Sequence, residues 1–315
     1  DSVDKTYTVF EDNQYAGKSH FADAFFSKSI SKNIQWISGV DFRYGSYHQT
    51  YISISKWGPY NDNFKDTFQY QTALYSSLLI NDASNKWLLE LGGRNNKHNR
   101  YGSNQTFTIS PSYKLNANIR FMASASTGYK APSLYQLSYN EKLKPEESFN
   151  TEIGMEYKTN PLFIRAVYYN RTIENGIDYN YIDYNFFNYI QQKVNGLELE
   201  FNWKANEKNN FSANYTLMNG QETNQNRVTT KDTITYNYLL KRPKNTAGIQ
   251  WTYEVSPKLN FSMAARYISK RYDVGGYAAA DVSLKSYTLL NAHIQYKLNK
   301  HILLYADGQN LANAV

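Results

Sequence analysis

Residues able to do chemistry are sparse in these 315 positions. Cysteine is absent, which removes disulfides and thiol chemistry. Of the five histidines, His20, His48, His98, His293 and His301, none is paired at metal-ligand spacing. Asp178, Asp183, Asp232 and Asp273 lie in polar stretches that do not resemble a calcium loop. No metal and no cofactor is expected within these residues. No Ser-His-Asp order, carboxylate pair or phosphate loop stands out, so the chain does not read as an enzyme. Aromatic and basic groups remain. Tyr129, Tyr135 and Tyr139 crowd one stretch, and Tyr179, Tyr181, Tyr184, Phe186 and Phe187 crowd another. Such rings either present faces to a ligand or hold a long loop together. Lys241 and Arg242 stand where a polar stretch descends into an alternating one.

The elements that must position these groups are strands. In Leu197-Glu198-Leu199-Glu200-Phe201-Asn202-Trp203 the odd positions are apolar and the even ones polar. Ile249–Val255, Leu259–Met263 and Phe107–Ser110 repeat the pattern, and Ile34, Trp36, Val40 and Phe42 make a further stripe. On the polar side, Glu198, Glu200, Arg266, Arg120, Glu152 and Glu156 would share one face. Strands are expected near 34–47, 67–80, 86–97, 104–115, 118–128, 146–158, 161–174, 189–203, 210–219, 243–254, 259–270, 287–297 and 301–311. The first thirty residues are less regular, with Tyr7–Phe10 and His20–Phe26 as possible further strands.

The links decide the architecture. Those at 81–85, 116–117, 159–160, 205–209, 255–258 and 298–300 are a few polar residues each. Those at 48–66, 129–145, 175–188, 220–242 and 271–286 are long. Only 98–103 is short for its side. Short and long in alternation is how an up-and-down barrel of the outer membrane is built, with one strand face on lipid and the other on a wet lumen. A soluble sandwich has no reason to keep that order. Mean hydropathy of −0.66 is no obstacle, because only every second residue of such a strand meets lipid. The aromatic fraction of 16%, with 30 Tyr, suits headgroup boundaries. The net charge of +7 comes from scattered Lys and Arg, which fits rims facing anionic lipid and lipopolysaccharide better than nucleic acid. The expected fold is all-β, a transmembrane antiparallel barrel in a bacterial outer membrane with short periplasmic turns and long extracellular loops.

A family resemblance sharpens this. Ser126-Thr127-Gly128-Tyr129-Lys130-Ala131-Pro132-Ser133, followed by Leu143-Lys144-Pro145-Glu146, resembles the signature of TonB-dependent outer-membrane receptors. Gly308-Gln309-Asn310-Leu311 is similar to the end of their penultimate strand. Within the family, four stretches look most like the cobalamin receptors: Tyr169–Tyr179, Phe187–Glu198, Leu239–Lys244 and Arg266–Asp273. The resemblance implies a barrel of about 22 strands with a plugged lumen. It also implies active uptake driven by the TonB complex. Its own plug domain and final strand are then expected outside residues 1–315, which form a partial barrel domain. The implied ligand is cobalamin or a related corrinoid, with a siderophore, an oligosaccharide or a passive pore as alternatives. The implied ligand contacts are Lys241, Arg242 and Tyr277, with Tyr129 and Tyr135 as aromatic candidates. The second aromatic cluster could also dock a surface lipoprotein. Ala131–Pro145 lacks the histidine that haem receptors of this family carry there, which argues against haem.

Overall fold

A computed structural model describes residues 8–180, 182–229, 232–276 and 279–314. Fourteen strands follow one another around a single antiparallel sheet. In chain order they begin with β1 (Thr8–Ser31), β2 (Ile34–Ser55), β3 (Gly58–Asn81), β4 (Trp87–His98), β5 (Gly102–Lys114), β6 (Ile119–Lys130), β7 (Glu146–Lys158) and β8 (Leu162–Glu174). A small hairpin, β9 (Ile177–Asn180) with β10 (Asn185–Asn188), stands apart from the wall. The wall resumes with β11 (Gln191–Lys204) and β12 (Asn209–Gln225), which also pairs the short β13 (Thr233–Tyr236). It then runs through β14 (Asn245–Ser256) and β15 (Leu259–Ile268). Past a second small hairpin, β16 (Arg271–Asp273) with β17 (Val282–Leu284), it ends in β18 (Tyr287–Lys297) and β19 (Leu303–Gly308). Every wall strand expected from alternation is present.

Two expectations need correction. Residues 48–66 are not a long loop: β2 and β3 remain paired to Ser55 and Gly58, with the turn at Lys56-Trp57. Thr8–Ser31 form one long strand, with β1 paired to β2 along nearly its whole length, and Tyr7 lies outside the described residues. Beyond the bilayer both faces of a strand are wet, so the apolar stripe fades while the ladder continues.

The two faces of the wall differ as a membrane requires. Val40 and Phe42 are 53% and 40% exposed, while Asp41 between them is 6% exposed. Leu199, Trp203 and Ile249 also lie on the outer face and are exposed. Directly paired residues share a face, so the register places Arg120, Glu156, Arg165, Glu200 and Arg266 in one lumenal belt. Arg120 and Glu156 are 2.9 Å apart there. Near the short turns the outer face carries aromatic pairs, Trp87 with Tyr113 at 4.4 Å and Trp203 with Phe211 at 5.6 Å. Phe211 continues the row to Trp251. Rings with a polar tip are suited to that boundary.

The opposite end is roofed. Pro132 stops β6, and Ser133 caps a single helical turn and a half, α1 (Leu134–Tyr139). The Ser133 hydroxyl accepts from the Gln136 N–H, and the Gln136 side chain accepts from the Ser133 N–H. Leu134, Leu137 and Leu143 form a small buried cluster against Tyr47, Ile177 and Phe186. The loop after β6 is thus folded inward, tying β2 to the β9–β10 hairpin.

Candidate functional site at the long-loop mouth

A cavity of about 430 Å³ opens beside the β9–β10 hairpin. Its walls come from β8, β9, β12 and the segments after β12 and β15. Arg171, Asp178, Lys241 and Arg242 all face it. Below lies a second cavity of about 630 Å³ along the lumen wall, with Glu152, Arg165, Glu198 and Glu200 among its lining. Arg171 and Arg242 line both spaces. Neither arginine has an ion-pair partner among the described residues. Two guanidiniums without carboxylate partners over an open cavity form an anion-binding arrangement, since each can hold two oxygens in its planar fork.

Other charges of the cavity are already used. Arg227 is 13% exposed and places one nitrogen 2.6 Å from Glu222 and another 2.6 Å from Asp281. Burial works against its charge, yet Glu222 and Asp281 carry the guanidinium above its ordinary pKa. Gln192 and Asn224 donate to the same Glu222 carboxylate, and Tyr238 donates to Asp281 at 2.7 Å. Burial first, then that carboxylate, pushes the Tyr238 hydroxyl up. Asp178 is a partly buried acid of the same cavity. Burial lifts its carboxyl above the ordinary range, and the Tyr179 N–H at 2.8 Å pulls it back only in part.

Lys241 and Arg242 therefore stand where the sequence placed them, at the mouth. Lys241 adopts a left-handed backbone, φ 60°, which turns the chain between Leu240 and Arg242. Its ammonium lies 3.6 Å from Asp273. Tyr135 belongs to a ring cluster instead: Tyr47, Tyr139 and Phe186 surround it at 6.0, 5.2 and 5.7 Å. It remains 39% exposed. Tyr129 lines neither cavity. It pairs with Glu147 on the same outer-face register that carries Phe149 and Ile153. Tyr277 lies outside the described residues. Sequence reading missed Arg171 and Asp178 as cavity residues and missed Arg227 altogether. Arg171 carried a signal, because it falls on the lumenal side of the β8 alternation; Arg227 lies in a polar loop with no periodicity.

The lumenal charge belt and the outward apolar stripe define the wall of an outer-membrane barrel. The chain belongs to the TonB dependent receptor-like β-barrel family, whose profile matches residues 2–311, and it is an outer-membrane protein. It is similar to a probable TonB-dependent siderophore receptor, PiuA, of Acinetobacter baumannii, at 29% identity over 182 residues. That match covers 55% of this chain and 24% of the relative. Among solved structures it resembles the ferric enterobactin receptor of Pseudomonas aeruginosa, with TM-score 0.70, 18% identity, and 95% and 49% of the two chains covered. The ferric yersiniabactin uptake receptor FyuA of Yersinia pestis gives 0.74 at 15% identity, with 96% and 50% covered. The copper transporter OprC gives 0.74 at 14%, with 96% and 52% covered. These likenesses establish the fold. The chain spans about half the length of those structures and about a quarter of the curated relative.

Proposed function

We propose that this barrel is part of a receptor that takes up an anionic metal chelate of the siderophore class across the outer membrane. The carrying observation is the pair Arg171 and Arg242, unpaired and shared by the mouth cavity and the lumenal cavity. An anionic chelate presents clustered oxygens that a guanidinium can hold in a charge-assisted, two-pronged contact. The names of the relatives, siderophore receptors and a copper transporter, point the same way. The plug, the TonB complex that pulls on it and the remaining wall strands belong to this reading. β1 and β19 have no strand on their outer edges among the described residues, and an open edge cannot face lipid. The lumenal carboxylates Glu152 and Glu198 would then face the plug. Calcium, if the full receptor uses it, has no cluster among the described residues.

Cobalamin is the second reading. Leu239-Leu240-Lys241-Arg242, one of the stretches that resembles cobalamin receptors, borders the mouth cavity. Titration of the detergent-solubilised full-length receptor separates the two. Saturable binding of ferric enterobactin or ferric yersiniabactin, weakened roughly tenfold or more by Arg242→Gln as a lost charged hydrogen bond predicts, supports the chelate reading. Saturable binding of cyanocobalamin alone overturns it in favour of the second.

A further inference from the structure

Among the described arginines that line the mouth cavity, Arg227 is the one ion-paired within the protein. Its two carboxylate partners come from different places. Glu222 is on the lumenal side of β12, and Asp281 is in the segment between β15 and β18. Arg227 sits in the segment between β12 and β14. One buried side chain therefore joins a wall strand and two loops.

Further contacts tie the same two loops together. Tyr238 stacks on Tyr272 with ring centres 4.0 Å apart and donates to Asp281. The Lys241 N–H donates to the Tyr272 carbonyl at 2.6 Å, and Leu240 bridges Tyr272. The Arg227 guanidinium also lies 3.9 Å over the Tyr236 ring. A buried guanidinium held by two carboxylates has few alternative partners, so its removal strands both acids. The cross-loop contacts converge on the backbone that carries Lys241 and Arg242.

We propose that Arg227 is a positioning residue: it locks residues 226–229 and 232–244 to residues 269–276 and 279–286 and so fixes where Lys241 and Arg242 stand over the mouth cavity. The mouth is then rigid on this side, and Arg227 itself touches no ligand. The role given to Lys241 and Arg242 rests on the uptake reading above; the lock does not.

The test is a distance measurement in the full-length receptor in detergent. Spin labels replace Lys241 and Lys193, the latter exposed on the outer face of β11. Labelling removes the ion pair between Lys241 and Asp273, which is solvent-exposed and contributes little. The parent should give one narrow distance distribution. Arg227→Gln should at least double its width, Asp281→Asn should broaden it likewise, and Arg227→Lys should restore most of the narrow peak. An unchanged narrow distribution in Arg227→Gln and Asp281→Asn overturns the lock. Ferric enterobactin titration of the same unlabelled variants reads the positioning. Affinity should fall in Arg227→Gln and recover in Arg227→Lys, and equal affinity in both, where the parent binds, overturns it. A parent that binds no chelate removes the uptake reading, while the distance distributions still decide the lock.

Discussion

Lys130 and Glu146 face each other across the base of the loop between β6 and β7, with their charged atoms 3.1 Å apart. Each belongs to one of the two signature stretches read in the sequence. The second Glu146 oxygen accepts the Ile177 N–H at 2.8 Å, so the same carboxylate anchors the β9–β10 hairpin. The two halves of the contact should differ in weight. Lys130 is exposed, and Lys130→Gln should cost less than about 1 kcal/mol. Glu146→Ala strands a part-buried N–H and should cost about 1–3 kcal/mol of local stability. Hydrogen exchange of residues 177–188 reads both, and equal protection in the two variants would contradict the anchoring role.

The wall makes a sharp prediction at two adjacent residues. Ile153 is 63% exposed on the outer face near the middle of β7, and Glu152 lines the lumenal cavity. Ile153→Arg should lose about 2–4 kcal/mol of folding free energy in phospholipid vesicles, the cost of a cation at the midplane. Glu152→Arg should change far less. Urea titration of vesicle-inserted protein measures both, and the reverse ranking would mean that lipid and lumen have been assigned to the wrong faces.

Gly196 is required by its neighbours. A Cβ there would meet the Leu217 carbonyl oxygen at 2.3 Å and the Tyr169 hydroxyl at 2.5 Å. The ring can swing aside, whereas the carbonyl is held in the β11–β12 ladder. Gly196→Ala should therefore destabilise the barrel by about 1–3 kcal/mol, the usual cost of overpacking. Adding Tyr169→Ala should recover only part of the loss, as urea unfolding of the single and double variants would show.

Asp178 gives the hairpin a pH dependence. Burial raises its carboxyl above 3.8, so the closed hairpin holds the proton more readily than the opened one. Closure is then fully favoured below the ordinary value, and that contribution is lost as pH rises through the shifted one. Protection of residues 177–188, corrected for intrinsic exchange, should fall with rising pH above 3.8 and level off once Asp178 is ionised. Asp178→Asn should flatten the curve. A parent whose protection rises over that range would refute the burial argument.

The barrel was legible because lipid imposes a period of two on every strand that crosses it. Leu197–Trp203 shows this in seven residues. Where the constraint lapses, legibility lapses with it: Gly58-Pro59-Tyr60-Asn61-Asp62 continues the ladder with β2 in turn-forming residues and looks like loop. The site was legible only in part. Lys241 and Arg242 follow a local motif that sequence can carry. Arg227 and Asp281 are 54 positions apart and meet because two loops fold together, a relation no local pattern encodes. Tyr129 misled for a related reason. Its motif sits at the rim, but the parity of β6 turns it to the outer face.

The unequal heights of β3 and β4 shape the rim of the wall. Pairing with β4 ends at Gln71 and His98, while β3 continues through Gly58–Tyr70. Thirteen residues of ribbon reach about 43 Å along the strand at roughly 3.3 Å each. At the crest, Trp57 is 83% exposed, with Lys56 over its ring. The rim is thus a parapet on one flank and a low sill at residues 99–101 beside it. Anything that approaches from the loop side therefore meets the Lys56-Trp57 crest before it meets the wall at β4.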